Sequence, residues 1–209
     1  RGTIYDTDMN TLAISATAED VNISPMRIAE FVESQKEAQE KAAKKAADKG
    51  EPYTAPLLRD QSYIARGLSR ILNVDQEKLE ARMTKTEYDY WNIKKQAEQD
   101  VADEVRRFIN GEIDPEGNAV PEAEQVKLQG VWLQPSSKRY YLYSSLASGV
   151  LGFVNNENQG SVGLEAKYDD TLTGTAGYTV SARNAAGTAL LYPYEQYYDA
   201  ENGHNLVLT

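Results

Sequence analysis

Few residues in this 209-residue chain have the type and spacing that chemistry requires. A serine activated in the Ser-x-x-Lys manner needs a lysine one helical turn further on, and no serine here has one. Lys85-Thr86-Glu87 comes nearest to the Lys-Thr-Gly element that accompanies such a serine, and it lacks the glycine. A Gly-x-Ser-x-Gly elbow, a P-loop and a dinucleotide fingerprint are also missing. With no cysteine and one histidine, thiolate and multi-histidine metal sites are excluded. That histidine, His204, sits in the turn Asn202-Gly203-His204, where an exposed loop position is expected. No catalytic residue, metal ligand or cofactor is expected.

The carboxylates repay closer attention. Asp6, Asp8 and Asn10 match the first three ligand positions of a calcium loop, but Thr11 replaces the turn glycine and Thr17 the bidentate glutamate. A turn closed by Asx side chains is the expected reading. Glu165, Asp169 and Asp170 could supply the carboxyl pair of a glycoside hydrolase, yet acids in the first turn of a short helix are favoured by its dipole without any chemistry. Tyrosines cluster at Tyr140, Tyr141 and Tyr143 and again at Tyr192, Tyr194, Tyr197 and Tyr198. Such rings either pack on sheets or present a glycan- or protein-binding surface.

The net charge of −10 opposes nucleic acid binding, which requires clustered bases. No run approaches the roughly 20 apolar residues of a membrane span. The chain opens at Arg1 without an initiator Met and is expected to begin inside a longer polypeptide.

The elements that must position these residues divide by composition. Arg1 to Ile23 alternates as strands around a turn at Asp6 to Thr11. Ser24-Pro25 caps a helix ending near Gly50, whose second half from Lys36 is Ala, Lys, Glu and Gln and reads as a solvated arm. Helical spacing recurs through Ile64 to Leu72 and Asp75 to Met83. Thr84 to Glu87 matches a capping box, predicting one helix that carries Ile93, Ala97, Val101, Val105 and Phe108. From Val126 onward strands are expected at Val126 to Leu133, Tyr178 to Ala182, Thr188 to Tyr192 and Leu206 to Leu208, with short helices at Ser144 to Phe153 and Gly163 to Leu172. The fold class is therefore α+β: a β-rich base from residues 1–24 and 125–209, with an inserted, mostly helical head over 25–124. Lone hairpins are marginal in water, so the N-terminal strands should pair with strands after Val126.

Three segments resemble one family. Arg1-Gly2-Thr3-Ile4-Tyr5-Asp6 with Leu12-Ala13 resembles the motif that opens the pedestal of class B penicillin-binding proteins. Arg139-Tyr140-Tyr141 with Gly152-Phe153 is similar to that family's Arg-x-Tyr-Pro segment and the Gly-Phe that ends it, and Gly163-Leu164-Glu165, Tyr168, Leu172 and Gly174 to its Gly-Leu-Glu motif. The C-terminal half is most similar to sporulation and division members, the SpoVD-like and FtsI-like proteins. Thr7, Met9 and Leu142 depart from the pattern, and Met9 stands where glycine would accept positive φ.

The resemblance implies a non-catalytic pedestal, or dimerisation domain, of a peptidoglycan D,D-transpeptidase whose catalytic domain lies elsewhere. It implies a parent anchored by an N-terminal transmembrane helix on the extracytoplasmic face. The implied partners are a membrane-embedded glycan polymerase and other morphogenesis proteins, with homodimerisation left open. The structural residues it marks are Arg1, Gly2, Ile4, Asp6, Leu12, Ala13, Arg139, Tyr140, Gly152, Gly163, Glu165, Leu172 and Gly174. A free-standing peptidoglycan- or glycan-binding module and an acid-base hydrolase are the competing classes. Because an arginine fork can clamp a carboxylate from a distant segment, Glu165 is expected to accept from Arg1 or Arg139.

Overall fold

The computed structural model describes residues 1–143, 148–181 and 195–209. It contains two compact units, one made of residues 1–16 and 137–209 and the other of residues 17–136. The unit boundaries fall within strands, whereas composition divides the chain near residues 24 and 125.

The first unit is built on pairing between the two chain ends. Strand β1 (Ile4–Tyr5) runs antiparallel to the start of β2 (Thr11–Ile23), with Ile4 opposite Ala13. The intervening turn is closed by Asp6, whose Oδ1 accepts from the backbone N–H groups of Asp8 and Asn10 at 2.9 and 2.8 Å. Met9 adopts φ 66° there, so the turn keeps its left-handed residue without glycine.

In the second unit α1 (Pro25–Lys49) starts as expected. Ser24 Oγ accepts from Arg27 N–H at 3.1 Å, Pro25 occupies the first turn, and Gly50 ends the helix at φ 68°. Its buried residues, Pro25, Ile28, Phe31 and Val32, all lie in the first third. The following helices are α2 (Gln61–Leu72) and α3 (Gln76–Met83), capped by Asp60 and Asp75.

One expected helix is corrected. Thr84 is the C-cap of α3 rather than the start of a new helix. Trp91–Ala97 forms strand β3, antiparallel to the second half of β2, and only Gln99–Ile109 is helical, as α4. Ile93 and Ala97 fit the period of a helix, but Trp91 and Ile93 also alternate as a strand does, and pairing with Val21 to Ile23 decides between the two. Val101, Val105 and Phe108 then follow on α4 itself.

Strand β4 (Val131–Tyr141) pairs with β2 and begins later and runs further than the expected Val126 to Leu133. Beyond it come α5 (Ser148–Leu151), β5 (Phe153–Val154), β6 (Gly160–Val162), α6 (Gly163–Lys167), α7 (Asp169–Leu172), β7 (Tyr178–Ser181), β8 (Glu195–Tyr198) and β9 (Leu206–Val207). Phe153 is thus a strand residue, and the expected strand at Thr188 to Tyr192 lies outside the described residues. β9 is parallel to β1, with Ile4 opposite Leu206, so the N-terminal strand does pair with one from after Val126. No helix among the described residues is long and apolar enough to cross a membrane.

Each unit has its own apolar core. Ile4, Leu12, Ala13, Leu151 and Leu172 fill the first, while Val21, Ile23, Ile28, Leu68, Met83, Val105 and Phe108 belong to the larger second. In the second, the Phe108 ring stacks on Tyr63 at 6.0 Å and presses on the bare Gly67 of α2, where a Cβ would lie 2.2 Å from the ring. Helix propensity alone would make Gly67→Ala stabilising by about 1 kcal/mol. Overpacking against Phe108 should outweigh this, with a net cost of about 1 to 3 kcal/mol. Urea denaturation of the variant should show a lower midpoint; a higher one would mean that the ring moves aside at little cost.

Candidate functional site

One charged residue from each of the three motifs, Arg1, Arg139 and Glu165, meets the others inside the first unit. Arg1 precedes β1, Arg139 lies on β4 and Glu165 sits in the first turn of α6. The side chains of Arg1, Arg139 and Glu165 are 3, 1 and 0% exposed. Glu165 Oε1 accepts from Arg139 Nε at 2.8 Å, and Oε2 accepts from Arg1 Nε at 2.9 Å, with Arg1 Nη2 at 2.8 Å. One carboxylate therefore receives both arginines.

The second tier of bonds fixes the backbone. Arg1 Nη2 donates to the Glu165 carbonyl at 2.9 Å, and Arg139 Nη1 donates to the Gly2 carbonyl at 2.7 Å. Arg1 Nη1 reaches Asp169 Oδ1 at 2.7 Å and Thr173 Oγ1 at 2.6 Å. Asp169 Oδ1 also accepts from Gly160 N–H at 2.7 Å. Two guanidinium groups and two carboxylates leave the cluster without net charge, the condition under which buried ions are tolerated. Arg139 Nη2 alone among these arginine nitrogens is buried with no hydrogen-bond partner, which leaves the cluster slightly under-satisfied.

Glycine sets where Glu165 lands. Gly152 (φ 73°) and Gly163 (φ 68°) flank the β5–β6 hairpin, where Phe153 pairs with Val162. A Cβ on Gly152 would fall 1.8 Å from the Val162 carbonyl oxygen, and one on Gly163 would fall 2.6 Å from Gly152 N. This close approach starts α6 two residues before the glutamate.

The other motif residues take separate places. Ile4, Leu12, Ala13 and Leu172 are core, Gly2 N–H donates to the Leu172 carbonyl at 2.8 Å, and Gly174 adjoins the bridge between Thr175 and Glu201. Asp6 serves its own turn and does not join the cluster. Tyr140 lies on the other face of β4 from Arg139, with Lys138 Nζ 5.1 Å from its ring. Tyr141 takes part instead: its hydroxyl lies 3.4 Å from Glu165 Oε1 and accepts from Val154 N–H at 3.1 Å. The period of two along a strand places Arg139 and Tyr141 on one face, a signal present in the sequence. Asp169 lies at the helix start, where the dipole favours an acid, but its bond to Arg1 has no local signal, nor has that of Asn158, which receives Arg1 Nη1 on its carbonyl at 3.2 Å.

The chemistry open to this arrangement is small. Glu165 is buried and both its oxygens are engaged, so it has no free lone pair directed at a substrate. Asp169 is held below its ordinary value chiefly by the Gly160 N–H, with Arg1 adding to the effect. Burial, then the charge of Glu165, pushes the Tyr141 phenol up. The site is built to hold segments together rather than to transfer protons.

With this geometry the chain can be set beside known proteins. Residues 1–208 match the family model described as the Penicillin-binding Protein dimerisation domain, and the chain belongs to that family. It is 30% identical over 145 residues to the stage V sporulation protein D of Bacillus subtilis (strain 168), covering 69% of this chain and 20% of that protein. It is 26% identical to the peptidoglycan D,D-transpeptidase FtsI of Escherichia coli (strain K12), over 69% of this chain and 21% of that protein. In fold it is similar to the penicillin-binding protein PBP2 of Helicobacter pylori, solved in complex with MreC. That match has a TM-score of 0.55 at 18% identity, over 99% of this chain and 34% of that one. The chain thus spans about a fifth of the length of these curated relatives.

Removing the Glu165 charge leaves two buried guanidinium groups facing each other. Glu165→Gln should cost about 3 to 5 kcal/mol. A lowering of the thermal midpoint by at least about 6 °C is expected, and an unchanged midpoint would contradict the clamp. For Asp169 the folded pKa lies below the usual 3.8, so its contribution is complete above that value and is lost as pH falls through the lowered one. The midpoint difference between the native chain and Asp169→Asn should accordingly be largest near neutral pH and shrink on acidification below 3.8, through the lowered folded value.

Proposed function

We propose that this chain is the non-catalytic pedestal of a class B penicillin-binding protein, which sets the position of a transpeptidase domain carried elsewhere in a longer polypeptide. The observation that carries the reading is the family match across residues 1–208, with arginines from two of the three motifs converging on the carboxylate of the third. In this reading the longer protein cross-links peptidoglycan stem peptides through an acyl-serine. It is anchored by an N-terminal transmembrane helix and acts on the extracytoplasmic face of the membrane. The family description supports homodimerisation, and the solved PBP2–MreC complex supports a morphogenesis protein as a partner. A membrane-embedded glycan polymerase is the third proposed partner. The arm of α1 beyond Val32, which buries no residue, is a surface available to such proteins.

The hydrolase alternative loses support from the same geometry, because Glu165 and Asp169 are both bound to Arg1.

A fluorescent penicillin separates the roles. The full-length parent in membranes should be labelled, and replacing the serine of its Ser-x-x-Lys element by alanine should abolish the signal. The 209-residue chain alone should show no adduct by intact-mass spectrometry. A stable adduct on the isolated chain, or a full-length parent that resists labelling, would overturn the proposal.

A further inference from the structure

Within the second unit, the strands present one face away from the apolar core. Trp91, Ile93, Val131 and Leu133 face the apolar core. Alternation therefore puts Tyr90, Asn92, Trp132 and Gln134 on the opposite face. Three amides cross that face in a line: Asn92 Nδ2 donates to Asn22 Oδ1 at 2.9 Å, and Asn22 Nδ2 donates to Gln134 Oε1 at 3.4 Å. Asn22 is fully buried, so the line is fixed at its centre. The rings of Tyr90 and Trp132 lie 6.0 Å apart at the end of this line.

The same patch continues around the β3 edge as a shallow depression lined by Tyr88, Tyr90, Trp91, Asn92 and Lys95. Trp91 is held by three neighbours. The Tyr88 ring meets it edge-on at 5.7 Å, with Arg82 Cζ at 4.9 Å and Lys85 Nζ at 5.6 Å from its centroid. Tyr88 and Tyr90 are 49 and 57% exposed.

Charge identifies the kind of ligand. Although the chain carries −10 overall, residues 82–95 hold four bases, Arg82, Lys85, Lys94 and Lys95, against Glu87 and Asp89. Asp89 is already taken by Ser24 Oγ at 2.5 Å and Arg27 at 3.2 Å. The patch is thus locally basic on an acidic molecule and complements an anion. No aliphatic side chain lines the depression, which distinguishes it from the apolar centre of a protein interface. Flat rings suit the C–H faces of pyranose sugars, and amides with unused donors and acceptors suit hydroxyl and acetamide groups.

We propose that this surface binds an acidic, N-acetylated glycan strand. The sugars lie on Tyr90 and Trp132, polar substituents bond to Asn92 and Gln134, and carboxylates face Lys85, Lys95 and Arg82. The choice of muramyl glycan among such strands rests on the reading above; the platform itself does not. That reading is tested by acylation of the parent, which does not involve this face, so the two can fail separately.

The test uses the 209-residue chain, tryptophan fluorescence and amide chemical shifts. One probe is glycan strands stripped of stem peptides, which retain their lactyl carboxylates; the others are neutral chito-hexaose and a deca-glutamate peptide. The stripped strands should perturb Tyr88 to Lys95 and Trp132, and bind at least about tenfold more tightly than chito-hexaose. Tyr90→Ala should weaken binding about tenfold or more at unchanged thermal midpoint, and Lys85→Gln should reduce the preference for the carboxylated strand. Absence of any perturbation by the strands, or perturbation that survives Tyr90→Ala and Lys85→Gln, would overturn the proposal. Deca-glutamate binding as well as the strands would reassign the face to an acidic protein partner and equally overturn it.

Discussion

A carboxylate with no exposure to water must either be neutralised or be fully partnered, and the first unit depends on how Glu165 meets that constraint. Its partners are Arg1, three residues ahead of β1, and Arg139 on β4, while Arg1 continues to Asp169 on α7 and Arg139 to the backbone at Gly2. Each arginine thus joins the glutamate to another part of the chain. The apolar core of this unit is modest, with Ile4, Leu12, Ala13, Leu151 and Leu172 as its buried members. Apolar contacts are non-directional, whereas a saturated carboxylate accepts only a few arrangements. In this unit the polar cluster therefore supplies the geometric definition that a small core lacks. The second unit, with a larger apolar core shared among α1 to α4, has no comparable buried ion cluster among its described residues.

Much of this was legible from the sequence where the cause is local. Ser24-Pro25 marked the start of α1 because a cap and a first-turn proline act within one turn, and Gly50 marked its end for the same reason. The Glu165 clamp was legible for a different reason: single charges embedded in apolar or glycine-rich motifs need a partner, and the motifs named the candidates. The failures are those of long-range pairing. The stretch from Ile93 to Phe108 satisfied a helical period, but pairing with β2 claimed its first part as β3. The line of Asn92, Asn22 and Gln134 joins residues far apart in the chain through sheet register, which no local pattern encodes. The motif marks Tyr140, whereas strand alternation puts its neighbour Tyr141 on the face of Arg139.

The structural economy fits a module that holds and presents. Its conspicuous acids are consumed by structure: Glu165 and Asp169 bind Arg1, and Asp6 closes a turn whose Asn10 and Asp8 contacts hold its carboxyl below the ordinary range. Exposed to water are the α1 arm beyond Val32, which buries no residue, and the rings of Tyr88 and Tyr90. Membership of the dimerisation-domain family places the chain among proteins whose curated relatives include a peptidoglycan D,D-transpeptidase, and the cluster explains how the first unit keeps its shape.

The central claim is that Glu165 and its arginines act as one unit, and a double-mutant cycle measures that directly. Glu165→Gln, Arg139→Met and the double variant should be compared by denaturant unfolding at neutral pH and moderate salt. If the cluster is a unit, the double variant will be less destabilised than the sum of the singles, with a coupling of about 1 to 3 kcal/mol. Additivity within about 0.5 kcal/mol would show that the two charges act independently, and the account of the first unit as organised around one carboxylate would be wrong.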